Sequence, residues 1–123
     1  MIITICGSTK FKNEILEAAK KLTLEDHIVL MPTIFEHADN EDLTTEQKIR
    51  LDNLHKQKIN MSDAIFVVNV DGYIGESTFG EIDWAAKNKK ELYFLVNPNP
   101  EEENKEREDR AQAPTPAEEG ENA

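Results

Sequence analysis

The chain has 123 residues, with 14 Lys and Arg against 25 Asp and Glu, and carries a formal net charge of −11 at pH 7. Phosphates and acidic lipids repel such a chain unless a basic patch overrides the field, and no such patch is visible, so DNA, RNA and anionic membrane surfaces are excluded as expected partners. Its one cysteine, Cys6, rules out an intrachain disulfide and leaves too few thiolates for a structural zinc site, and no stretch approaches the roughly 18 apolar residues of a membrane span, so a reducing, cytoplasmic setting is expected.

The first run, Ile2-Ile3-Thr4-Ile5-Cys6, is β-branched, short and ended by Gly7, which predicts a central strand buried on both faces. Ser8 or Thr9 then caps a helix whose apolar positions Phe11, Ile15, Leu16, Ala19 and Leu22 recur at three and four residues, to about Thr23. A second strand over 27–31 stops at Pro32, and the polar loop that follows, to Asp42, is too long for a simple connector. Helix two starts at Thr44-Thr45-Glu46 and ends near Met61, with Ile49, Leu51, Leu54, His55 and Ile59 on or near one face. The run from Ala64 to Val70 is the strongest strand signal, followed by a loop punctuated by Gly72 and Gly75. Ser77-Thr78 opens a third helix to about Asn88, and 92–96 form a fourth strand closed by Pro98.

Strands alternating with helices predict an α/β fold: a three-layer, doubly wound parallel sheet of the flavodoxin or Rossmann kind with four to five strands, over residues 1–98. Residues 99–123, rich in acids and without a large aliphatic side chain, are expected to form a disordered acidic tail. In such sheets ligands bind outside the carboxyl ends of the strands, which selects three loops: 7–10, 32–40 and 69–78.

Gly7, Ser8 and Thr9 at the first strand-to-helix turn offer free amides and hydroxyls to a base or sugar, or serve as a tight turn with a cap. The third loop, with Asn69, Asp71, Gly72, Tyr73, Gly75, Glu76, Ser77 and Thr78, brings backbone N–H groups and hydroxyls toward a ligand's oxygens. Tyr73 is a candidate for stacking on a nucleobase or for packing on a neighbouring subunit. Phe35, His37 and Asp39 are candidates for closing the other side of the pocket. Lys10 is expected to face solvent, His55 to be a core histidine, Asp63 to turn the chain and Trp84 to pack in the core.

Glu81 is the carboxylate best placed for chemistry, able to attack or stabilise an anomeric carbon as the sugar gains oxocarbenium character. On the pattern alone Thr78-x-x-Glu81 reads first as a capping box, in which Glu81 bonds back to its own helix start.

Residues 1–96 resemble the nucleoside 2-deoxyribosyltransferase-like superfamily, including its nucleoside 5′-monophosphate N-glycosidase branch. The likeness rests on Ile-Cys-Gly7-Ser8-Thr9 after strand one, Ile59-x-x-Ser62-Asp63-Ala64-Ile65 before strand three, Ser77-Thr78-x-x-Glu81-Ile82, and Ala85-x-x-x-x-Lys90 before strand four. The resemblance implies that Glu81 is the nucleophile, that Ser77 and Thr78 contact the sugar or a 5′-phosphate, that no metal or other cofactor is used, and that the chain forms a homodimer or larger homo-oligomer. The substrate so implied is a nucleoside or nucleotide. Many members carry an Asp six residues before the nucleophile, where this chain has Gly75, and Glu76 and Asp71 are candidate substitutes. A nucleotide-binding module without turnover is the alternative this departure raises. A lysine-decarboxylase-like phosphoribohydrolase is a further one, although its usual Pro-Gly-Gly-x-Gly-Thr loop is not matched by Gly72 to Thr78.

Overall fold

The computed structural model describes residues 1–98, and the acidic tail expected over 99–123 lies outside the described residues. The β-branched run at the start forms β1 (Ile2–Cys6), and α1 (Lys12–Leu24) follows a single 3₁₀ turn at Thr9–Phe11. The chain then builds β2 (Ile28–Leu30), α2 (Thr45–Asn60), β3 (Ala64–Val67), α3 (Glu76–Lys87) and β4 (Glu91–Phe94). All four strands are parallel, in the order β2-β1-β3-β4. This is the α/β three-layer architecture expected, with four strands among the described residues.

Strand alternation divides the core in two. Ile3, Ile5 and Ala64 point to one face, where Ile15 and Leu22 of α1 cover them. Cys6, Ile65 and Val67 point to the other, under Ile59 of α2 and Ala85 of α3. The two helices on that face are tied by Trp84 Nε1, which donates to Asn60 Oδ1 at 3.0 Å. α2 begins where the sequence placed it, with Thr44 and Gln47 bonding reciprocally across the first turn.

The strand ends depart from the sequence reading. β2 is only three residues long, and Ile28 at its start is 61% exposed because β2 is an edge strand. β3 stops at Val67, three residues before the end of its apolar run, since the backbone turns through a second 3₁₀ turn at Val70–Gly72 with Asp71 at φ 55° and Gly72 at φ 83°. β4 begins at Glu91, one residue before the predicted start, although Leu95 N–H still donates to Val67 O at 2.9 Å beyond its end.

The strand order reverses between β1 and β3, whose chains leave in opposite directions along the sheet. At such a switch point the loops diverge and leave a crevice at the carboxyl ends of the two strands. Gly7 and Val68 stand at that point, with Val68 N–H donating to Cys6 O at 2.8 Å.

Candidate active site

A cavity of about 760 Å³ opens at the switch point, within the size range of pockets that hold drug-sized ligands. Its walls come from the β1 exit (Gly7, Ser8, Thr9), the loop after β2 (Pro32, Thr33, Ile34, Glu36, His37), the upper face of α2 (Leu51, Asp52, His55, Lys58) and the start of α3 (Gly75 to Thr78). Glu81 lines the same cavity.

The start of α3 removes the capping-box reading of Glu81. Gly75 is the N-cap, and no side chain makes a cap bond there, so Thr78 and Glu81 lie inside the helix and do not form a capping box. Ser77-Thr78 therefore does not open the helix, which begins at Glu76. Thr78, Glu81 and Ala85, spaced three and four residues apart, make the buried face of α3. That face carries the carboxylate inward, to the end of β1 and the side of α2.

Glu81 is 8% exposed, and its buried Oε1 has no hydrogen-bond partner among the described residues. Burial pushes its carboxyl up to about 7, opposed by the Cys6 thiol, which draws it back part of the way. His55 Nε2 lies 3.6 Å from Glu81 Oε1 and 3.5 Å from Cys6 Sγ. Burial, reinforced by the positive charge of Lys58, lowers the imidazole to about 4, so His55 is neutral at pH 7. Burial likewise raises the Cys6 thiol, and the Glu81 charge adds to that effect. Three ionisable side chains thus meet, His55 and Glu81 at the cavity wall and Cys6 behind them, each favoured in its uncharged form by burial.

Most of the anticipated residues converge here. Gly7, Ser8, Thr9, Tyr73, Gly75, Glu76, Ser77, Thr78 and Glu81 all line the cavity. Asn69, Asp71 and Gly72 do not. Asn69 is fully buried, and its side-chain amide spans the chain after β4, donating to Val96 O at 2.6 Å and accepting Val96 N–H at 2.9 Å. Asp71 and Gly72 are exposed in the 3₁₀ turn, where the positive φ suits glycine.

Of the second loop, His37 reaches the cavity, held by Thr9, whose Oγ1 lies 2.6 Å from Nδ1 and accepts the backbone N–H at 3.2 Å. Phe35 is instead a core residue, and Asp39 pairs with Lys12 at 2.9 Å. Tyr73 stands at the rim, its ring edge-on to Phe11 with centroids 5.9 Å apart and with Lys10 Nζ 3.8 Å from its centroid. Lys10 is thus exposed but engaged.

Gly7 is fixed by packing. A Cβ there would approach Val68 O to 3.0 Å and Val68 Cβ to 3.3 Å, so β1 and β3 come this close only with glycine at the crossing. Gly7→Ala is expected to cost about 1–3 kcal/mol, read by chemical denaturation, and to weaken ligand binding by parting the two strand ends.

Two members of this trio were underrated by sequence reasoning. Cys6 figures in the sequence as a lone thiol, too few for a disulfide or a structural zinc site, and as a strand end before Gly7, although alternation from the buried Thr4 puts it on the α2 side one residue before the crevice. His55 follows Leu51 and precedes Ile59 at four-residue spacing, which aims it at the same place. No protein-family model matches the chain, and no curated protein is significantly similar to it.

Proposed function

We propose that this protein cleaves or transfers the N-glycosidic bond of a nucleoside or nucleoside 5′-monophosphate, with Glu81 as the nucleophile. The observation that carries the reading is the Glu81 carboxylate, buried at the cavity with no hydrogen-bond partner for Oε1 among the described residues. Among the described residues Glu25 Oε1 is likewise unpartnered but does not line the cavity, so it is the unpaired oxygen together with its place at the cavity that supports the reading, an unpaired buried polar atom costing about 1–3 kcal/mol. An oxygen left without a donor is available to an electrophilic carbon.

In the proposed reaction a Glu81 oxygen attacks the anomeric carbon from the face opposite the base. The glycosidic bond breaks, its electron pair leaves with the base, and the base takes up a proton from solvent, which the water or base attacking in the second step gives back. Water, or a second base, then attacks the glycosyl ester and releases the carboxylate. Ile34, Leu51, Leu54 and Met61 supply apolar wall for a base, while the hydroxyls of Ser8, Thr9 and Ser77 suit a sugar or phosphate. The free thiol of Cys6 fits a cytoplasmic setting, where it stays reduced. Exposed Ile49, Leu54 and Met61 around α2 and Phe79 on α3 give apolar area for a homodimer.

Purified protein incubated with ribo- and deoxyribonucleosides and their 5′-monophosphates, with and without a second free base, is expected to release base measurable by chromatography. Base exchange separates transferase from hydrolase. Silence across the panel with saturable nucleotide binding would favour the second reading, a binding module without turnover, which Gly75 in place of the superfamily's Asp supports.

A further inference from the structure

The geometry points to a divalent transition-metal site at the cavity floor, formed by Cys6 Sγ, His55 Nε2 and Glu81 Oε1, that takes a borderline-soft ion such as Zn²⁺. These three atoms lie within 4.8 Å of one another, and all three residues are buried.

The two measured edges fit a tetrahedral ion. Sulfur at roughly 2.3 Å and nitrogen or oxygen at roughly 2.0–2.1 Å from a common centre stand roughly 3.3–3.6 Å apart. The observed separations are 3.5 Å for Cys6 to His55 and 3.6 Å for His55 to Glu81. Two edges of the triangle thus already have the length an ion requires, and the third, Cys6 Sγ to Glu81 Oε1, lies within 4.8 Å.

The donor set also fits. A thiolate and an imidazole select a borderline-soft ion over Mg²⁺ or Ca²⁺, which take oxygen ligands. One thiolate and one carboxylate balance a doubly charged ion, leaving the buried cluster neutral. Glu81 Oε1 has no hydrogen-bond partner among the described residues to give up. His55 and Glu81 line the cavity while Cys6 lies behind them, so a fourth coordination position faces the open space.

Such a site is distinct from the glycosidic chemistry and competes with it. An ion held by Glu81 occupies the oxygen that would attack the sugar, so metal binding and base release exclude one another. This second half rests on the glycosidic reading, whereas the metal site does not.

The full-length reduced protein, freed of metal by chelation, is titrated with Co²⁺ and followed by absorption. One equivalent is expected to give a thiolate-to-cobalt charge-transfer band and the intense visible bands of a four-coordinate ion, both removed by Zn²⁺. Cys6→Ser is expected to lose the charge-transfer band, and His55→Ala to bind Zn²⁺ at least about tenfold more weakly. A wild-type cobalt spectrum without thiolate charge transfer at saturation, or Zn²⁺ affinity unchanged by Cys6→Ser, would overturn the site. Base release persisting with the site filled by Zn²⁺ would overturn the exclusion alone. Wild-type protein that releases no base at all sinks the glycosidic reading and leaves the cobalt result standing.

Discussion

Glu81→Gln is expected to lower base release about a thousandfold or more and, at pH 8, to raise the melting temperature. The first effect follows from losing the attacking oxygen's charge, since an amide is a poor nucleophile at an anomeric carbon. The second follows from the same burial. Folding holds the Glu81 carboxyl at about 7 against an ordinary value of 4.5, so the folded state favours the protonated form. The ionised form is therefore penalised once the pH passes 4.5, the penalty grows up to about 7, and it is constant above. Its upper bound is on the order of 3 kcal/mol.

A neutral amide escapes that penalty. The variant's advantage at pH 8 is thus expected to be at most roughly 12–24 °C and to vanish near pH 4. His55 works in the opposite sense and is present in both proteins: lowered from 6.5 to about 4, it costs stability as the pH falls through that window. Thermal melts of the two proteins across pH isolate the Glu81 contribution as their difference. Base release by the wild type is expected to fall on acidification below about 7, as the proposed nucleophile takes up its proton. A stability gain paired with lost activity marks a strained catalytic group, whereas a structural carboxylate would show a loss of both.

Asn69→Ala is the second substitution with a large expected effect, on folding and not on the ligand. The Asn69 amide stands in for a strand, accepting from Val96 N–H and donating to Val96 O, and it is fully buried. Alanine leaves both Val96 groups without these partners beside an emptied space. A loss of about 2–4 kcal/mol is expected from two forfeited bonds to part-buried backbone. Denaturant melts measure it, and nucleotide affinity under native conditions is expected to stay within about twofold, because Asn69 does not line the cavity. An affinity loss without a stability loss would return Asn69 to the binding residues.

These two residues show what the sequence made legible. The fold was readable because period and length agree: five residues ending at Gly7, helical spacing from Phe11 to Leu22, and a β-branched run from Ala64 leave little room for another order of elements. The crevice followed from that order alone, since the carboxyl ends of the strands are the loops after Cys6, Leu30 and Val67. Asn69 looked like a loop residue facing ligand, because sequence does not reveal that its amide would complete hydrogen bonds 27 residues away. Glu81 was ambiguous for a local reason. A Thr-x-x-Glu pattern reads as a capping box only if the helix begins at the Thr, and α3 begins two residues earlier at Glu76. Cys6 and His55 lie 49 residues apart on different elements, and only the stacking of α2 on β1 brings them together.

The central claim is that the Glu81 carboxylate bonds to the sugar. The most direct measurement is mass spectrometry of protein quenched in acid seconds after mixing with whichever substrate of the panel releases base fastest. A mass increase of one glycosyl unit, mapped to the peptide containing Glu81 and absent in Glu81→Gln, is the predicted result. Turnover by Glu81→Gln at the wild-type rate, or a glycosyl unit mapped to another residue, would contradict the account.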